Sequence, residues 1–478
     1  MKVVACAVVA ALAAVGGLAE PKPWTVTVDS AAVVGMVKPV NAVNGGPPSR
    51  FGSDNADWRN LRVPYARTHD MNHCWSNGGP HTIDVDAVFP NFDADENEPE
   101  SYDFFYTDLS LATMKAYGIE PFFRLGPSIE GGAKKYHTHP PKDFAKWARV
   151  CEHIIRHCNE GWANGRRDGI RHWEIWFEPD IGAAAWTGTK EQFLAFYKTA
   201  AIHLKSRFPA LKIGGPAFAH SLSWKDDFIP FCRREHVPLD FYSWHWYGTD
   251  VRDVARRARE VRAWLDENGF GKTESILDEW NYVAAWKGGE WAYSRQVESG
   301  PHIQKGMAFA AAMLAICQDA QLELAMYYDT RVHGGMNMLF EPVANRPQKG
   351  YYPFYAWSKL RCDYGMQVKA TADVPDEKGV PAGQLYVTAA KDAHGKVAVW
   401  LARYADDDNV HDWRAVKVRL PKAFASRRAY CHLTDDVHAF TEVPVVGDAD
   451  GAFELTLLPC SFAFLEVAGS EAPRSPAR

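Results

Sequence analysis

What the chain is short of excludes several kinds of protein. It has no excess of positive charge: 53 Lys and Arg stand against 59 Asp and Glu, a formal net charge of −6. A nucleic-acid partner gripped through its phosphates is therefore not expected. Beyond the N-terminus no apolar run is long enough to cross a bilayer, so no membrane span is expected. No Gly-x-Gly-x-x-Gly follows the first strand pattern, which counts against a dinucleotide cofactor, and there is no His-Glu-x-x-His for zinc. The acidic run Asp93, Asp95, Glu96, Glu98 and Glu100 begins like a calcium loop. It has Glu98 where that loop requires glycine, and it reads as a solvated surface loop. Neither a cofactor nor a metal is expected. Internal repeats and low-complexity linkers are also absent.

What is present is globular: 47% of the 478 residues are hydrophobic and 23% charged. That length accommodates two or three domains, or one large barrel with a smaller companion. Eighteen tryptophans are many. They serve a core, or a cleft in which indole faces meet the C–H groups of sugars. The N-terminus reads as an export signal over residues 1–19. Lys2 precedes an apolar stretch at 3–15, and Gly17-Leu18-Ala19 fits the cleavage pattern. The mature chain is then expected outside the cytoplasm, secreted or periplasmic, where disulfides are permitted. Cys151 and Cys158 share one helical stripe and read as buried thiols. Cys431 and Cys460, both in the C-terminal β region, form the expected disulfide pair.

From residue 60 to 330 short strands alternate with amphipathic helices. Strand patterns fall at 63–69, 120–125, 172–178, 212–216, 240–247, 274–280 and 322–329, with an earlier one near 34–43. Eight β/α units favour a (β/α)8 barrel over an open doubly wound sheet. One helix opens on the capping box Thr189-Lys190-Glu191-Gln192 and carries the stripe Phe193, Phe196, Tyr197, Ala200, Ala201 and Leu204. After residue 365 the period changes to two, which reads as an antiparallel β-sandwich. The expected division is a barrel over 20–360, whose first strand at 24–29 could join the sandwich, a β-sandwich over 361–468, and a disordered tail at 469–478.

In such a barrel, polar residues at the C-terminal ends of strands carry function. The fourth strand ends in Trp176-Phe177-Glu178-Pro179 and the seventh in Asp278-Glu279-Trp280-Asn281. These strands face each other across the barrel mouth, so Glu178 and Glu279 can share one pocket. Two facing carboxylates are the minimum equipment for cleaving a glycosidic bond. Glu174 shares Glu178's face at greater depth and reads as an orienting group. Strand alternation turns Asp278 away from Glu279.

At these positions the sequence resembles glycoside hydrolase family 39, a clan A family of retaining enzymes that contains β-xylosidases and α-L-iduronidases. The acid/base segment of that family reads Trp-Asn-Glu-Pro and its nucleophile segment Thr-Glu-Trp-Asn. Further matches are Arg67-Thr68-His69-Asp70, Gly214-Gly215-Pro216 and the segment from Asp240 to Tyr247. The resemblance implies a barrel with a C-terminal β-domain, Glu178 as general acid/base and Glu279 as nucleophile. It implies that Arg67 keeps Glu279 ionised, Tyr247 donates to it, and His245 orients a carboxylate or meets a sugar hydroxyl. His69 and His245 read equally as satisfied barrel histidines. Trp280, Tyr328, Tyr327, Trp186 and Trp75 are candidate sugar platforms, with core packing as the alternative for each. One departure stands out. Where the family has asparagine before the acid/base, bonding the substrate 2-hydroxyl, this chain has Phe177.

The leading expectation is an exported retaining glycosidase acting on an oligo- or polysaccharide. A barrel that binds carbohydrate without turnover and a transglycosidase are the alternatives. Arg331 and Lys287, in late barrel loops, could meet an acidic substituent or simply be solvated. The sequence carries no sign of oligomeric state.

Overall fold

The computed structural model describes residues 22–48, 55–71, 82–331, 336–342, 344–374 and 384–468. The expected signal, Trp75 and the expected tail lie outside them. The chain's first described strand, β1 (Trp24–Met36), is followed by eight strands that close a parallel barrel in chain order. These are β2 (Ala42–Asn44), β3 (Tyr65–Arg67), β4 (Glu120–Leu125), β5 (His172–Ile175), β6 (Lys212–Phe218), β7 (Phe241–Gly248), β8 (Glu274–Tyr282) and β9 (Leu324–Tyr327). Seven of the eight strand patterns read from the sequence correspond to barrel strands; the eighth, near 34–43, straddles the end of β1 and the start of the barrel strand β2.

Barrel closure divides each strand's residues between an interior and a helix-facing exterior. At the bottom of the interior, Ala42, Phe122, Phe241, Ile276, Leu324 and Met326 form a small apolar plug. Above it lies a buried polar layer that includes Asn44, Arg67, Glu174, Ser243 and Asp278. The exterior faces, with residues such as Trp173, Trp244 and Trp280, pack against the helices in the main core. The helix Lys190–Arg207 carries the capping box read from the sequence, Thr189 and Gln192 each satisfying the other's backbone N–H.

The C-terminal strands are β10 (Met366–Asp373), β11 (Leu385–Lys391), β12 (Val397–Arg403), β13 (Arg414–Arg419), β14 (Arg428–Thr434), β15 (Thr441–Val446), β16 (Ala452–Leu457) and β17 (Ser461–Val467). With β1 they make one nine-stranded sheet in the order β15-β14-β17-β12-β11-β10-β1-β13-β16. The faces of the expected sandwich are thus parts of a single continuous sheet around its own core of Trp24, Val26, Val399, Val416, Leu455 and their neighbours. All its pairings are antiparallel except β1 with β13. The helix Ile303–Asp319 is buried along almost its whole length, because small residues such as Gly306, Ala308, Ala311 and Ala312 let barrel and sheet approach it closely. The Trp400 indole N–H of the sheet donates to its Ala311 carbonyl at 3.1 Å.

The expected disulfide is not formed; Cys431 and Cys460 are both free thiols. The register explains this. Cys431 pairs opposite Leu465 and points into the sheet's core, whereas Cys460 sits in the turn before β17, packed against the main core. Five residues of extended chain separate the two levels, about 17 Å, far beyond disulfide reach. Cys151 and Cys158 are free and buried, as read from the sequence.

Candidate active site

The C-terminal ends of the barrel strands surround a cavity of about 750 Å³ whose lining includes His69, Phe177, Glu178, Tyr247, Glu279 and Tyr328. Glu178 enters it through a sharp reversal at the end of β5. Trp176 and Glu178 both lie at positive φ, 72° and 38°, conformations that cost of order 1–3 kcal/mol each and persist where the surroundings enforce them. The surroundings here are explicit. The Glu178 N–H donates to the Ala217 carbonyl at 2.9 Å, and Asp180 accepts from the Ala219 N–H at 3.0 Å and the Ser223 hydroxyl at 2.6 Å. The end of β6 thereby clamps the segment that aims Glu178.

Glu279 is held from three sides. Arg67 donates to Oε1 at 2.7 Å, the Tyr247 hydroxyl donates to Oε2 at 2.5 Å, and His69 Nε2 lies 3.5 Å from Oε1. His245 Nδ1 bonds Glu178 Oε1 at 2.6 Å and lies 3.5 Å from Glu279 Oε2. Ligand-capable atoms of Glu178, His245 and Glu279 all fall within 4.8 Å of one another. Among the described residues this trio is the one cluster with metal-holding spacing. Arg67 and Tyr247 already occupy both Glu279 oxygens, so the arrangement is that of an ion-pair network.

Beneath the cavity the network continues. Arg67 also donates to Glu174 at 2.7 Å and to the Asn44 side-chain oxygen at 3.1 Å, and it lies 3.3 Å from Asp278. Asp278 faces inward, contrary to alternation, because β8 carries a bulge. The register steps from Trp244↔Leu277 to His245↔Glu279, so Asp278 is the extra residue, and it and Glu279 both face the interior network. Burial alone would strip the proton from His245, yet Glu279, Asp278 and Glu178 hold its pKa well above the ordinary value. Burial pushes Glu174 up to about 8, against the pull of Arg67, so it keeps its proton at neutral pH. Burial likewise pushes Glu279 up to about 7, opposed by His245, Arg67 and the Tyr247 hydroxyl. Despite burial, Arg67 and His245 keep Asp278 below the usual carboxylate range. The layer balances when Arg67 and His245 are charged against Asp278 and Glu279.

The other candidates divide. His69, Phe177 and Tyr328 line the cavity, with the His69 and Phe177 rings 4.5 Å apart and the Tyr328 hydroxyl donating to Asp70. Trp280 does not. Glu279 faces inward, so Trp280 faces out, fully buried and stacked on Phe354 in the core. Tyr327 and Trp186 are also core residues. The Trp176 ring turns away from Glu178 and packs against Trp147, Trp186 and Phe196. The cavity also recruits Ile129, Ile181, Ala219, Trp286, Trp291 and Arg295, which lie in loops or helices rather than at strand ends, where the sequence rule looks. The one usable signal was the Trp286-Lys287-Gly288-Gly289-Glu290-Trp291 segment just after β8. Arg331 reaches the cavity wall, flanked by Asp329 at 2.6 Å and Asp70 at 3.3 Å.

Glu298, next to this wall, yields a pH test. Its side chain is fully buried with Arg295 at 2.6 Å, and burial pushes its pKa up to about 9. The folded carboxyl holds its proton to about pH 9, while the unfolded one releases it near 4.5. The stabilisation is therefore complete below pH 4.5 and is lost as pH rises towards 9. Glu298→Gln keeps the shape and removes the titration. In thermal and urea melts the variant's advantage over the wild type should be about 4 kcal/mol larger at pH 8 than at pH 5.

Comparison with known proteins bears on the same residues. Residues 52–281 match the family model described as Glycosyl hydrolases family 39. A β-xylosidase of Caldicellulosiruptor saccharolyticus is 32% identical over 161 residues, covering 32% of this chain and 32% of the relative. A β-xylosidase of Geobacillus stearothermophilus is 29% identical over 210 residues, 42% and 40% of the two chains. The chain thus matches 32% and 40% of the length of these two curated relatives. Among solved structures, a glucosidase from Croceicoccus marinus superposes with a TM-score of 0.73 at 21% identity, over 94% of this chain and 99% of that one. A monomeric β-xylosidase from Caulobacter crescentus CB15 gives 0.68 at 16%, over 94% and 100%. These two likenesses show the fold.

Proposed function

We propose, from the resemblance of residues 52–281 to glycoside hydrolase family 39 and of parts of the chain to β-xylosidases, that it is an exported retaining glycosidase acting on an oligo- or polysaccharide. The observation that carries this reading is the spacing of Glu178 and Glu279, whose carboxylate oxygens approach within 4.8 Å. Retaining enzymes space their carboxyl groups at about 5–5.5 Å, whereas inverting enzymes need about 6.5–9.5 Å to admit a water. Export rests on the apolar N-terminal stretch at 3–15 and the small residues after it.

In this mechanism Glu178 gives its proton to the glycosidic oxygen as the C1–O bond breaks. Glu279 Oε attacks C1 and forms a glycosyl ester. Glu178, now ionised, takes a proton from water while the water oxygen attacks C1, and Glu279 departs as carboxylate. Glu279 must be ionised to attack. Arg67, His245 and Tyr247 oppose the burial that would protonate it. Proton NMR of the first-formed product tests the assignment: its anomeric configuration should match that of the substrate, and an inverted product overturns the reading.

A second reading rests on Phe177, buried beside Glu178 where no side-chain hydrogen bond to a 2-hydroxyl can form. On this view the barrel binds glycans without turnover, and release of an aryl aglycone by the wild type would exclude it. If the missing contact limits catalysis, Phe177→Asn should raise kcat/KM on substrates with a free 2-hydroxyl by about 10- to 100-fold while leaving their 2-deoxy analogues little changed. Products longer than the substrate would instead point to a transglycosidase.

A further inference from the structure

The cavity extends beyond its two carboxylates, and one of its walls comes from a segment outside residues 52–281, the stretch that matches the family model. An aromatic column starts at Tyr247, the residue that donates to Glu279. The Trp286 ring meets Tyr247 edge-to-face at 5.0 Å. Trp291 stacks against Trp286 at 5.4 Å with an interplanar angle of 27°. The Arg295 guanidinium lies 5.5 Å from the Trp291 ring centre. All four line the cavity except at their packed faces, and Trp286 is 56% exposed. Bare indole of that extent beside a reaction centre is what a binding platform presents when nothing covers it.

The charge at the end of the column matters as much as the rings. Arg295 donates from Nη1 to the buried Glu298 at 2.6 Å. Among the described residues that is the guanidinium's one ion-pair contact, so its other nitrogens can still donate towards the cavity that Arg295 lines. Arg331 on the same cavity differs: it is 8% exposed and flanked by two acidic side chains. Arg295 is therefore the cation this wall offers to a ligand, already stacked on an indole, with its planar fork suited to a carboxylate or a sulfate.

We propose that Trp286, Trp291 and Arg295 form a subsite next to the two carboxylates that stacks one sugar ring and binds an anionic substituent on it. The substrate is then an acidic oligosaccharide, an inference that rests on the glycosidase reading for its link to turnover. The subsite itself is tested by binding. The probes are glucuronate-bearing oligosaccharides with their carboxyl-reduced partners, and sulfated oligosaccharides with their desulfated partners. Each is titrated calorimetrically into Glu279→Gln protein, which removes turnover. At least one acidic probe should bind tenfold or more tightly than its neutral partner, and the advantage should shrink as salt rises. Adding Arg295→Gln should erase the advantage, Arg295→Lys should keep part of it, and Trp286→Ala should weaken acidic and neutral probes alike. The lysine variant guards against simple misfolding, and which series shows the preference separates uronate from sulfate. No binding by any pair, equal binding within every pair, or a preference that survives Arg295→Gln overturns the subsite. Acidic preference without hydrolysis by the wild type would sink the glycosidase reading and leave the subsite standing. Hydrolysis of neutral aryl glycosides without acidic preference would do the reverse.

Discussion

Glu279→Gln is expected to lower kcat on the order of 10⁴-fold and to abolish covalent labelling by 2-deoxy-2-fluoro glycosides. Intact-protein mass should show one added fluoroglycosyl group on the wild type and none on the variant. The site should tolerate the change. The amide oxygen can keep accepting from Arg67, and the amide N–H can turn to the Tyr247 hydroxyl, so the network keeps its hydrogen bonds and loses only the carboxylate charge. Glu178→Gln should behave differently. With a dinitrophenyl leaving group that needs no acid it should still form the adduct, and then release it slowly because no base activates water. Labelling of the Glu279 variant, or reversed behaviour of the pair, would reassign the two roles.

Arg67→Met is expected to be the most damaging single change to the fold. The guanidinium is fully buried and reaches Glu174, Asp278 and Glu279, all within 3.3 Å. Methionine fills similar space but leaves three buried carboxyls with one cation fewer. Removing one partner from such a buried group costs about 3–5 kcal/mol. The loss should be greater at pH 8 than at pH 5. With its cation gone, each carboxyl prefers to stay protonated in the fold, so stability present at low pH drains away as pH rises. Melts of wild type and variant at the two pH values measure this directly. Arg67→Lys should fall between them, because it restores the charge but not a fork that spans three acceptors. An equal loss at both pH values would mean that the site's acidic groups are not what Arg67 balances.

Barrel strands and the position of the two glutamates at the barrel mouth were legible because each rests on a local rule: short apolar runs broken by turns, and acidic residues where a run ends. Interior contacts that depend on register were not legible. Alternation sends Asp278 away from Glu279, and only the bulge opposite His245 turns both inward. Trp280 is the opposite case: plain alternation from Glu279 already turns it outward into the core, which its candidacy as a sugar platform overlooked. Cys431 and Cys460 looked like a pair because they lie in one β region, but pairing is decided by register and by the face each occupies. Trp286, Trp291 and Arg295 converge through a loop and a helix, which no strand-end rule surveys.

The placement of β1 sets a timetable for synthesis. It is the first described strand of the chain, yet it lies inside the C-terminal sheet, between β10 and β13. When β1 leaves the ribosome neither neighbour exists. At about 5–20 residues per second, the last residue of β13 follows on the order of 20–80 s later. All eight barrel strands are made in that interval, so the barrel can close while β1 still waits with both edges open. A fragment ending after the barrel would keep that strand unpartnered for good, and a fragment starting at β2 would leave β10 and β13 facing a gap one strand wide.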